Sequence, residues 1–212
     1  MITDPRWTAL DKSRRDELLN EYRDINIGFG ERWWEGVDVQ IREEMEEIGI
    51  RVTQLYFSGF WSQGDGAAIE GYVDDWFKVF THLKDPYAEA RARLANTEGW
   101  EFRVNSTSSY CHSGTLQATY DIPEDSNPFD EDEDPLRYHA WRIANPHIPN
   151  EQEIEALEKQ LLRLFVERSD DAYKRLEKEY DHLTSDEVIA SYILEHCPEE
   201  LTPEVEEEEL AA

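Results

Sequence analysis

The sequence has 212 residues, with 49 Asp and Glu against 21 Lys and Arg, a formal net charge of −28. A field of that sign repels phosphate backbones and anionic lipid, so direct nucleic-acid and membrane binding are set aside and basic protein surfaces are favoured. Seven Trp and 12% aromatic residues are too much buried-type surface for a disordered chain, so a single α+β domain over residues 1–198 is expected.

In chain order, Thr8 is a helix-start signal, and Leu10, Leu18, Leu19 and Tyr22 follow at helical spacing until Gly28 and Gly30 break the pattern. A second helix is predicted from Trp33 to Ile48, with Trp34, Val37, Ile41 and Met45 on one face and Gly49 closing it. The texture then becomes extended. Alternating, β-branched or aromatic runs near residues 50–58, 68–73, 100–105 and 115–121 predict four strands in two hairpin-like pairs. A helix is expected between the pairs, from Asp75 to about Ala95. The four strands suffice for an antiparallel sheet with one face covered by amphipathic helices.

Residues 124–135, EDSNPFDEDEDP, read as an exposed acidic loop, because five consecutive carboxylates from Asp130 to Asp134 cannot be buried without cations. A long amphipathic helix follows from about 151 to 180, with Ile154, Leu157, Leu161, Leu164, Phe165, Leu176 and Tyr180 on its apolar stripe. Thr184 or Ser185 caps a last helix ending near Cys197, and residues 199–212 are an acidic, disordered tail. The segments 121–135 and 151–212 hold 28 of the 49 acids.

Two segments suggest chemistry. In SGFWSQGDGA, Gly64 and Gly66 flank Asp65, with Trp61 and Gln63 beside it. Asp65 serves either as a turn-former bonded to local backbone N–H groups or as a general base or ligand, and the loop is also a candidate protein contact. It is no phosphate loop, lacking GxxxxGK[ST]. In Tyr110-Cys111-His112-Ser113, adjacent residues on one strand would point to opposite faces, so Cys111 and His112 cannot pair within it. The six His form no i, i+4 pair and no HExxH, and the two Cys form no CxxC. No cofactor, metal or catalytic residue is therefore expected. With no apolar signal core and no membrane-length run, the expected location is the cytosol.

The stretch YFSGFWSQGDGAAIEGYV resembles a family of small proteins of tailed phages and prophages that share FSGFxSQGDGA between two strands. The likeness continues in patches through Arg14–Trp34, Tyr110–Thr115 and Tyr173–Ala190, and departs at Ala68-Ile69, where a small polar and an aromatic residue are more usual. Members are sometimes labelled antitoxin-like. The resemblance implies a phage context, in which small acidic proteins disarm host defences by covering basic nucleic-acid-binding surfaces. The expected function is inhibition of a host CRISPR effector, restriction enzyme or repair enzyme, by nucleic-acid mimicry or by steric blocking. The expected contacts are Asp130, Glu131, Asp132, Glu133 and Asp134 of the loop, with Glu151, Glu155, Glu158, Asp170 and Asp171 of the long helix. An antitoxin-like partner protein and a hydrolase using Asp65 are the alternatives.

Overall fold

The computed structural model describes residues 2–28, 32–109, 111–123 and 127–201. Its contacts divide the chain into two compact units, one of residues 1–35 with 176–212 and one of residues 36–175.

In the first unit, the expected opening helix is two helices, α1 (Pro5–Ala9) and α2 (Lys12–Glu21). The break has a local cause, since each helix has its own acidic cap. Asp4 accepts from the Arg6 N–H and Asp11 from the Arg14 N–H, both at 2.8 Å. The Thr8 hydroxyl instead donates back to the Asp4 carbonyl within the first turn. Trp7, Leu10, Leu18 and Leu19 form one apolar cluster with Ile189, Ala190, Ile193 and Leu201. Three of these lie on a later helix, Asp186–His196, which is capped by Ser185. Leu201 ends a 3-10 turn over Pro198–Leu201. Residues 202–212 of the expected acidic tail lie outside the described residues.

The second unit holds a four-stranded antiparallel sheet and helices on it, the α+β architecture expected from the alternating runs. Helix α3 (Glu35–Glu47) buries Val37, Ile41 and Met45 at helical spacing. The strands β1 (Ile50–Phe57), β2 (Ala67–Val73), β3 (Glu101–Ser106) and β4 (Leu116–Asp121) lie side by side in chain order. Between β2 and β3 the single expected helix is two, α4 (Trp76–His82) and α5 (Ala88–Glu98). Lys84 at φ 58° and the following Pro86 turn the chain between them.

Two further helices complete this part of the chain. Helix α6 (Pro135–Ala144) follows the acidic loop, and α7 (Glu151–Leu183) is the expected long helix, its last eight residues belonging to the first unit. Within the second unit α7 buries Ile154, Leu161, Phe165, Ser169 and Ala172, which recur at steps of seven, four, four and three residues along one face. Removing Leu161 and Phe165 from water stabilises the fold by about 1.5–3 kcal/mol each.

The serine in that stripe has a definite partner. Strands β2 and β3 pair only at Gly71↔Val104 and Tyr72↔Arg103, so the Ala67–Ile69 half of β2 has no β3 neighbour. The buried Ser169 hydroxyl accepts the Ile69 N–H at 3.0 Å and donates to the Phe165 carbonyl at 2.8 Å. Helix α7 is thereby hydrogen-bonded to the strand whose ladder is incomplete, and a buried donor is satisfied.

Candidate functional site

The Gly-rich loop between β1 and β2 closes as a hairpin end. The Ser58 N–H donates to the Gly66 carbonyl at 3.1 Å, and the Gly66 N–H donates to the Ser58 hydroxyl at 3.0 Å. Within it, the Asp65 carboxylate accepts the Ser62 N–H at 2.6 Å while the Asp65 N–H donates to the Ser62 carbonyl at 3.1 Å. Asp65 is thus engaged as a turn-former. Gly64 sits at φ +96°, where an L side chain is strained. Gly66 is needed for a different reason, because a Cβ there would lie 3.0 Å from both the Cys111 carbonyl oxygen and the His112 ring. Trp61 and Gln63 are exposed on the outer side of the turn, Trp61 by 71%, with Phe60 beneath it at 6.0 Å.

The close approach at Gly66 joins the two segments that suggested chemistry. Cys111 and His112 do not lie on a strand but in an irregular segment leading into a 3-10 turn over Ser113–Thr115. The His112 Nδ1 accepts the Gly114 N–H at 2.9 Å, so this nitrogen is spent on capping the turn. Buried Ser113 donates its hydroxyl to Asp170 of α7 at 2.6 Å. Tyr173, one turn further along α7, donates to the Gly59 carbonyl at 3.3 Å and packs on Phe60 at 5.5 Å. Asp170 thus ties α7 to the Ser113–Thr115 turn, and Asp171 pairs with Arg175 at 2.6 Å. These two carboxylates are occupied within the chain and stand apart from the acidic loop.

In the described part of the acidic loop, residues 127–135, carboxylates accept neighbouring backbone N–H groups. Asp130 accepts the Asp132 N–H at 2.8 Å, and Asp134 caps α6 by accepting the Arg137 N–H at 3.2 Å. Glu131 lies 3.9 Å from His139 and Asp134 3.4 Å from Arg137. Asp132 and Glu133 are exposed, and no cation of the described residues lies within ion-pair distance of either. Asp130 and Glu131 line an open cleft of about 1120 Å³ together with Glu151 and Glu155 of the first turns of α7. Tyr120, Phe129 and Tyr138 supply aromatic walls. Four of the expected contact residues therefore converge, although some twenty positions separate the two pairs in sequence. Glu155 is also bridged to Lys159 at 3.2 Å, and Glu158 is half-buried further along the helix.

The frame of this cleft is Glu153, which the sequence reading passed over. Its carboxylate accepts from Arg91 at 2.7 Å, from Arg142 at 3.0 Å and from the Asn150 N–H at 3.0 Å. Asn150 in turn accepts the Glu153 N–H at 2.9 Å, a reciprocal cap at the start of α7. Burial pushes the Glu153 carboxyl up, but the Asn150 N–H and the two guanidiniums outweigh it and hold the group below the ordinary glutamate value. The signal for this cap was present as N-x-x-E at Asn150–Glu153.

Helix α6 was also missed. Its signal was Asp134-Pro135, an N-cap followed by proline at the first helical position, with Leu136, Ala140 and Ile143 spaced as one face. That face points outward. Leu136 is 83% and Ile143 81% exposed, and no residue of α6 is buried.

An acidic α+β domain with a pinned Gly-rich turn and an open carboxylate-lined cleft is the class that fold and site define. The chain belongs to a family described as a domain of unknown function (DUF8835), whose model matches residues 33–186. The match takes in the sheet, the Gly-rich loop, the acidic loop and α7, and omits α1 and α2. Neither curated proteins nor solved structures give a match. Among the described residues, no group of three or more His, Cys, Asp or Glu is placed to hold a metal ion. None of their helices is long and apolar enough to cross a membrane.

Proposed function

We propose that this chain is a phage-encoded acidic binding protein that covers the basic, nucleic-acid-binding surface of a host defence or repair protein. It acts by occupancy in the host cytosol, with no catalytic residue of its own. The supporting observation is the convergence of Asp130 and Glu131 with Glu151 and Glu155 around one open cleft, beside Asp132 and Glu133, which have no cation of the described residues within ion-pair distance. Carboxylates on an exposed loop and a helix end offer a Lys/Arg surface what a duplex offers it, closely spaced anionic oxygens. Such exposed charges chiefly raise the association rate and select the partner.

The test uses the partner recovered by affinity capture from host cytosol. Duplex DNA or RNA should compete with the acidic protein for it. Parent binding should weaken steadily between about 50 and about 300 mM salt as the Debye length shortens. A variant with Asp130, Asp132 and Asp134 changed to Asn and Glu131 and Glu133 to Gln should bind more weakly and with a flatter salt dependence. Asn keeps the acceptor that the turn and the helix cap need, so the variant remains folded. Equal binding by parent and variant at every salt concentration would mean that the charge serves solubility alone.

A further inference from the structure

We infer that the outward face of α6 is an apolar anchor that takes the apolar stripe of a basic amphipathic helix presented by the partner. The inference rests on the acidic-surface reading above and adds the feature that would hold the partner once charge has steered it in.

Leu136, Ala140 and Ile143 stand at i, i+4 and i+7, so they form one stripe along a ten-residue helix. Leu136 and Ile143 are separated by about 10 Å along the axis, two helical turns, which is the repeat at which a second helix offers its own apolar ridges. Both are more than four-fifths exposed, whereas the half-buried Tyr138, Trp141 and Arg142 occupy the other side of α6. The inward side is fixed by Arg142, which donates to the Ile148 carbonyl at 2.7 Å and to Glu153 at 3.0 Å. The outward orientation of the stripe is therefore imposed by polar contacts behind it.

Charge decides the occupant. At the N-terminal end of the stripe stand Asp130–Asp134, of which Asp132 and Glu133 have no cation within ion-pair distance among the described residues. Glu151 and Glu155 line the adjoining cleft. A second copy of this chain would bring the same carboxylates and another net charge of −28 to the contact. A helix with Lys and Arg flanking its apolar stripe meets both the stripe and its rim.

The probe is a synthetic helix-forming peptide of about 18 residues, with leucines at i, i+3, i+4 and i+7 and lysines elsewhere. A control keeps the leucines and replaces lysine by glutamate. The full chain should bind the lysine peptide and not the glutamate peptide, with amide-exchange protection over residues 135–144. Leu136→Ser with Ile143→Ser should weaken binding by about ten-fold or more while leaving its salt dependence unchanged. The acid-neutralised loop variant should instead flatten the salt dependence, so failure of the anchor and failure of the acidic surface give different results. The inference is overturned if the lysine peptide does not bind, if the glutamate peptide binds as well, or if the double serine variant binds like the parent. It is likewise overturned if the free chain sediments as a dimer that the double serine variant dissociates, because a second copy then covers the face.

Discussion

At Asp65 a single hydrogen bond separates a structural from a chemical role. Its carboxylate is committed to the Ser62 N–H at 2.6 Å, and asparagine offers an equivalent carbonyl acceptor. Asp65→Asn should therefore leave both stability and partner binding close to the parent in urea titration and binding assays. An Asp65→Asn protein that folds and binds normally yet loses all function would point to chemistry at this carboxylate. The neighbouring glycines should behave oppositely. Gly64→Val places a β-branched residue at φ +96°, and Gly66→Val drives a side chain into the Cys111–His112 backbone, so each should cost more than about 1 kcal/mol. Ser169→Ala removes the acceptor of the Ile69 N–H and leaves a buried donor unpaired, a loss of about 1–3 kcal/mol in the same titration. These residues differ in legibility. Glycines flanking an aspartate announce a turn, but the need for glycine at 66 comes from a segment more than forty positions later. Ser169 is a polar residue on an otherwise apolar stripe, and only the missing β2–β3 pairing at Ile69 supplies its donor.

Element by element, the sequence periodicity located the four strands, α3 and α7, and errors arose where a cap or a proline overrode it. The expected helix over 75–95 is cut at Lys84–Pro86, and the expected first helix is cut where Asp11 starts a new one. Helix α7 matched its stripe, and its attachment to α3 carries a pH dependence. Glu44 of α3 accepts from Arg175 at 2.7 and 3.1 Å and from Arg168 at 3.2 Å. The Arg175 hydrogen bond, followed by the two guanidinium charges, lowers the Glu44 carboxyl below its ordinary value against the opposing effect of burial. A group lowered in the folded state contributes stability that is fully present above its unfolded pKa, about 4.3, and is lost as pH falls through the folded value. Glu44→Gln should thus cost about 0.5–1 kcal/mol at neutral pH. The gap to the parent should be constant down to about pH 4.3 and close below it, as followed by urea midpoints across pH.

For the whole molecule, the net charge of −28 acts on the fold as well as on partners. Mutual repulsion among exposed carboxylates opposes the compact state, and salt screens it. Raising salt from about 0.05 to about 1 M should therefore increase the melting temperature by about 2–4 °C for each kcal/mol of repulsion relieved, measured by thermal denaturation. The same increase should weaken partner binding. Neutralising Asp130–Asp134 should leave the melting temperature unchanged or raised at low salt, since Asn retains the turn and cap contacts of Asp130 and Asp134. Opposite responses of stability and binding to one variable distinguish an acidic binding surface from a surface whose acids only keep the chain in solution.

The sequence by itself determined the α+β class, the four strands, the long helix and the exposure of the acidic loop. Each of these is set by local periodicity or by the cost of burying like charges, and both are read within a window of neighbours. Tertiary structure alone decided which carboxylates lie together. Asp130 and Glu131 meet Glu151 and Glu155 because α6 turns back and Arg142 ties it to the Glu153 cap, whereas Asp170 and Asp171 are taken up by Ser113 and Arg175. It also decided that the apolar face of α6 points to solvent, since an amphipathic pattern fixes that a helix has two faces and only its packing partners fix which one is covered.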